Sequence, residues 1–125
     1  MMTLPNGTGV DIFCSSALLL PPESPGGVSS AFIAGGDLWT GTQTLNQPNQ
    51  NSTLFDVASR SLTRKSDMLR TRWYSTSVTL PNGETYIQGG SGGTDRPEIR
   101  SLTGAFRLLS SADTSALQPL CDALQ

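Results

Sequence analysis

The chain contains no histidine. That absence removes the commonest general base, the commonest metal ligand and the usual partner of a nucleophilic serine or cysteine. Charge is scarce as well: 14% of the 125 residues are charged, and the net charge is −2. Arg60, Arg64, Lys65, Arg70 and Arg72 are spread along one segment without interleaved aromatics. No basic patch results, and nucleic acid is not an expected partner. No apolar run approaches the roughly 20 residues of a membrane span, so no membrane partner is expected. The first residues, MMTLPNGTG, have neither the basic region nor the apolar core of a signal peptide. Cys14 and Cys121 are too few and too differently placed for a disulfide framework. Apolar residues at i, i+3, i+4, i+7 are nowhere sustained for three turns, so long helices are not expected.

What is present is glycine, proline and short alternating runs. Thirteen Gly and eight Pro, with many Ser and Thr, suit an all-β chain of short strands. The clearest stretch is Arg70 to Gly93. Ser75, Ser77 and Thr79 alternate with Thr76, Val78 and Leu80, which places them on opposite faces of a strand. Pro81-Asn82-Gly83 is a hairpin turn, and Glu84 to Gln88 is the return strand. Gly89-Gly90 ends it, where backbone is expected to pass close to backbone.

A weaker copy lies upstream. Phe13 to Leu20 reads as a strand, Pro21 to Ser30 as a surface insertion, and Ala31 to Gly36 as a strand with its own Gly35-Gly36 break. The two Gly-Gly pairs are 54 residues apart, close to the spacing of about 50 for kelch repeats. Thr3 to Gly7 recurs as Thr79 to Gly83. Asp37 to Ser52 reads as a polar loop, of the kind that gathers binding sites. Thr53 to Asp56 and Leu62 to Arg64 read as third and fourth strands, as do Glu98 to Ser101 and Ala105 to Leu109 in the second copy. The organisation expected is therefore the end of a preceding blade over residues 1–12, kelch blades over 13–68 and 69–113, and an irregular tail over 114–125. Two four-stranded blades cannot close a propeller, which typically needs four to eight. A partial propeller belonging to a longer protein is the expectation.

Asp11 to Cys14 (DIFC), Ala34 to Asp37 (AGGD) and Arg70 to Gly90 (RTRWYSTSVTLPNGETYIQGG) resemble, in order, stretches of the copper-radical oxidases, the family of galactose oxidase and glyoxal oxidase. The Arg-Trp-Tyr form is closer to the glyoxal oxidase branch, and Gly92 to Asp113 resembles bacterial members of that branch. The resemblance implies a seven-bladed kelch propeller, secreted or extracellular in the parent protein, with one copper ion. It also implies oxidation of a primary alcohol, aldehyde or sugar by dioxygen, giving hydrogen peroxide. In that family a tyrosine bound to copper is joined through its ring to a cysteine sulfur and carries a radical. Cys14 matches the cysteine of the Phe-Cys motif, and Tyr74 matches the tyrosine of the Arg-x-Tyr motif. Tyr74 is thus the expected metal ligand and catalytic radical site, with Cys14 as its partner. The tryptophan that covers the radical ring in galactose oxidase would fall near Gly92 and is absent, so Trp39 is the candidate for ring stacking. The family's second tyrosine and both histidine ligands are missing, so copper belongs to the parent and tight binding by this chain alone is not expected.

Blander readings stand beside these. Cys14 alone would be read as an inert thiol in an apolar strand. Trp73 suits packing better than substrate contact, and Arg72 suits a hydrogen bond between blades. The glycine-rich loop Gly89 to Gly93 leads into Asp95, Arg96 and Glu98 but lacks the helix and Gly-Lys-Ser/Thr of a phosphate loop, so Asp95 is read as a loop cap. Asn6 and Asn51 head glycosylation-type triplets that matter only in a secreted eukaryotic protein. The alternative function is a non-catalytic kelch module that holds a partner through the loops Asp37 to Ser52 and Gly89 to Asp95.

Overall fold

A computed structural model describes residues 7–22, 25–91 and 96–117. The Thr3 to Asn6 part of the repeated turn, Asp95, Cys121 and the tail from Gln118 lie outside the described residues. The fold is all-β. The first four-stranded sheet contains β1 (Ser16–Leu19), β2 (Ala31–Ala34), β5 (Ser52–Asp56) and β6 (Ser61–Arg64), paired antiparallel in the order β1-β2-β5-β6. The second contains β7 (Thr76–Thr79), β8 (Thr85–Gln88), β9 (Glu98–Arg100) and β10 (Phe106–Leu108), in the order β7-β8-β9-β10. Each is a meander in which every strand pairs with the next strand of its own sheet.

One expectation is corrected by a third unit. Asp37 to Ser52 is not a plain loop: β3 (Asp37–Trp39) and β4 (Thr44–Pro48) form an antiparallel ribbon before β5 begins. Its strands are polar because most of β4 is exposed, so burial imposes no apolar alternation. Side-chain oxygens organise it instead. Thr40 Oγ1 accepts from the backbone N–H of Gln43 at the ribbon's tip, and Thr44 Oγ1 donates to Asp11 Oδ2 at 2.6 Å. A second correction concerns the first strand. It begins at Ser16, not Phe13; Phe13 and Cys14 form a turn, and Phe13 is 68% exposed.

The two sheets meet along β1 and β7. Ser16 Oγ lies 2.7 Å from Ser77 Oγ, and Thr79 Oγ1 donates to the Leu19 carbonyl at 3.3 Å. Between the sheets a core forms from Phe32, Ala34, Met68 and Ile87, flanked by Leu18, Leu54 and Phe106. The segment crossing between the sheets is fixed by Arg72, which is fully buried. Its Nε meets Glu98 Oε1 at 2.9 Å, and its two Nη groups donate to the carbonyls of Gly89 and Arg96. A buried ion pair of this kind needs its remaining donors and acceptors satisfied. Glu98 Oε2 meets that need by accepting from the Leu69 N–H.

The two glycine pairs act as the spacing suggested. A Cβ on Gly36 would stand 2.6 Å from the Asp11 carbonyl, and one on Gly90 would stand 2.6 Å from the Trp73 carbonyl. The same bond recurs beside each. Asp37 N–H donates to the Phe13 carbonyl at 3.0 Å, and Ser91 N–H donates to the Trp73 carbonyl at 2.9 Å. The two halves are thus structural repeats at the level of single backbone hydrogen bonds.

Candidate functional site

Two turns that enter β1 and β7 carry the site. Cys14 and Tyr74 are both in the left-handed region, at φ 61° and 58°. Side chains rarely take that conformation, and it concentrates where a side chain must be aimed. The turns are tied together by the Tyr74 N–H, which donates to the Cys14 carbonyl at 2.8 Å. This backbone bond sets the two side chains side by side. Cys14 Sγ lies 2.8 Å from Tyr74 Oη, across a sequence separation of 60 residues.

The phenol is held from a second side by its neighbour. The Trp73 and Tyr74 rings stack with centroids 5.4 Å apart and planes inclined by 27°. Trp39, the residue singled out from the sequence for stacking, lies on β3 and lines a small recess with Gly9, Val10 and Asp11. Tyr74 is 55% exposed, so the pair is open to solvent and small reagents. Contact with Cys14 raises the Tyr74 pKa above its ordinary value, followed by partial burial, the charge of Cys14 and that of Asp37.

Asp37 was not visible as a site residue from the sequence beyond its place after Gly35-Gly36. It is fully buried, and neither carboxylate oxygen has a hydrogen-bond partner among the described residues. Burial raises its pKa, and Asp11 raises it further. Its backbone is well held, by the Phe13 carbonyl through its N–H and by the Asn49 amide through its C=O. Arg72, expected to hydrogen-bond between blades, directs its side chain within residues 69–113, to Glu98, Gly89 and Arg96; its backbone is what reaches the first half, donating to the Asn49 carbonyl and accepting from the Gly36 N–H.

Copper(II) in a tetragonal site prefers imidazole nitrogen. The sequence has no histidine, and among the described residues no group of three His, Cys, Asp or Glu converges on one point. One phenol and one thiol do not make that donor set. The residues present therefore do not fit a complete copper site, whereas they do fit chemistry between a thiol and a phenol. No protein-family profile and no curated protein matches the chain.

Proposed function

We propose that this chain supplies two adjacent blades of a seven-bladed kelch propeller of the copper-radical oxidase class. It carries the cysteine and tyrosine of the cross-link but not the full copper site. The parent would oxidise a primary alcohol, aldehyde or sugar with dioxygen to hydrogen peroxide, outside the cell. The observation that carries this reading is the 2.8 Å contact of Cys14 Sγ with Tyr74 Oη, made by two residues at equivalent turns of adjoining sheets. A thiol beside a phenol hydroxyl is also beside the ring carbon ortho to it. Joining sulfur to that carbon removes the thiol hydrogen and one ring hydrogen, and two electrons pass to an oxidant.

The way the sheets stack supports the propeller part. Ala31 to Ala34 and Thr85 to Gln88 are equivalent strands, yet they bury opposite faces: Phe32 and Ala34 in one, Thr85 and Ile87 in the other. The first sheet thus offers one face and the second sheet offers the other. An arrangement of that kind is heterologous, and a heterologous contact repeated by a rotation that divides the full circle closes into a ring.

The cross-link test uses the chain itself, checked first for a dispersed amide spectrum. Photo-oxidation with a ruthenium sensitiser, with persulfate accepting the two electrons, is expected to join Cys14 to Tyr74 with loss of two hydrogens. Tyr86, the other tyrosine, is the internal control. Linkage without preference for Tyr74 over Tyr86, or none at all, removes the basis of the reading. Loaded with copper, the same chain is expected to release no peroxide from methylglyoxal or galactose; turnover would refute the claim that its copper site is incomplete. A second reading, a kelch binding module without chemistry, is favoured by the missing histidines, and an absent cross-link would support it.

A further inference from the structure

A cleft of about 630 Å³ opens at the far ends of β1 and β7 from Cys14 and Tyr74. Leu20, Val28, Leu54, Leu80 and Leu102 line it beside the polar groups of Ser30, Asn82 and Arg100, and among the described residues no carboxylate does. The volume falls in the range of roughly 300–1,000 Å³ that suits small ligands. Among the described residues one charged side chain faces it, that of Arg100 at the end of β9.

Arg100 is only 9% exposed, yet it is not paired as Arg72 is. Its guanidinium lies 5.0 Å from the centre of the Phe32 ring. Among the described residues Nη1 reaches only the Ser101 carbonyl, at 3.4 Å, and Nε has no partner. Burial lowers the Arg100 pKa, as desolvation of an uncompensated cation does. A cation this deeply placed, with Nε unpartnered among the described residues and leucines beside it, matches one class of ligand. We infer that this cleft binds a small amphiphilic carboxylate, with its apolar body against Leu54, Leu80 and Leu102 and its carboxylate on Arg100. A single guanidinium suits a monoanion, and the chain's net charge of −2 disfavours ligands of high negative charge. The inference is independent of any chemistry at Cys14 and Tyr74.

The test is an amide NMR titration of the 125-residue chain with octanoate, run in parallel with 1-octanol. Octanoate is expected to give saturable shifts at Leu54, Leu80 and Leu102 and to bind at least about tenfold more tightly than the alcohol, as a charge-assisted hydrogen bond requires. Arg100→Met is expected to reduce octanoate to the level of octanol, and Arg100→Lys to restore part of the difference. Should Arg100→Met fail to fold, Leu102→Asp decides. Leu102 is 68% exposed at the mouth of the cleft, so a carboxylate there should weaken octanoate more than it weakens octanol, which loses only the leucine's apolar contact. Equal binding of acid and alcohol, or indifference to both Arg100→Met and Leu102→Asp, overturns the inference.

Discussion

The two sheets share a frame and differ in what fills it. At the turn entering the first strand, one has Cys14 and the other Tyr74, both left-handed. Beside each Gly-Gly pair, Asp37 and Ser91 make the same backbone bond, to Phe13 and to Trp73. On the third strand, Thr53 faces Ile33 where Glu98 faces Ile87. Among the described residues only the second sheet has a buried ion pair, and Thr53, its counterpart's site, is a buried hydroxyl without a partner. Backbone hydrogen bonds and close approaches at glycine thus define the repeat, while side chains at equivalent positions are free to diverge. Unlike residues at like positions can then meet, as Cys14 and Tyr74 do.

The largest expected effect comes from making the second sheet resemble the first. Glu98→Thr leaves Arg72 charged and buried without its carboxylate, which typically costs about 3–5 kcal/mol. The converse site should tolerate change. Thr53→Val removes an unsatisfied hydroxyl at constant shape and should be neutral or slightly stabilising. Urea midpoints for the two variants measure the contrast. Equal losses would mean that Thr53 carries a role the hydrogen bonds do not show, and the sheets would be more alike than argued.

A smaller effect probes which face each sheet buries. Ile87 is fully buried and Ile33, its equivalent, only partly so. Ile87→Ala is expected to cost about 2–5 kcal/mol and Ile33→Ala less than half as much. In a closed ring the outer face of the first sheet would be covered too, and the two losses would converge. Comparable losses in this isolated chain would therefore contradict the stacking described.

This division of faces also explains what was legible in the sequence. The Thr76 to Gln88 hairpin was plain because Asn82-Gly83 marks its turn and its strands alternate. The third and fourth strands of both sheets were placed within a residue or two. The Cys14–Tyr74 contact came from motif order, since no periodicity links residues 60 positions apart. The β3–β4 ribbon was missed because its strands are held by Thr40 and Asp11 oxygens rather than by a buried apolar face. Phe13 was drawn into a strand because hydrophobicity does not reveal a left-handed residue at Cys14. Arg72 reads as a hydrogen bond between blades, but its side chain bonds within residues 69–113, and its partner Glu98 is not legible because a buried pair looks like any two charges along a sequence.

The smallest expected effect lies at the surface and depends on pH. Glu84, at the turn entering β8, accepts from both Nη groups of Arg107 on β10, at 2.7 and 2.8 Å. These bonds, with a further one from Asn82, hold its pKa down at about 2. The equivalent positions in the first sheet are Ser30 and Thr63, which bear no charge. Because the folded pKa lies below the unfolded one, near 4.3, this contact contributes fully above that value. Its contribution is lost as pH falls from about 4.5 towards 2. The first sheet has its own acid-sensitive contact, at Asp56, whose carboxylate is stabilised by the Ser59 N–H. Hydrogen exchange at pH 5 and pH 3 should therefore show protection falling in both sheets. Glu84→Gln should abolish the fall at β10 and leave that at β6 untouched. The Arg107 side chain is 53% exposed, so the difference should be small and shrink in high salt. A fall at β10 that persists in Glu84→Gln would assign the acid response to another carboxylate and would leave the two sheets without this electrostatic distinction.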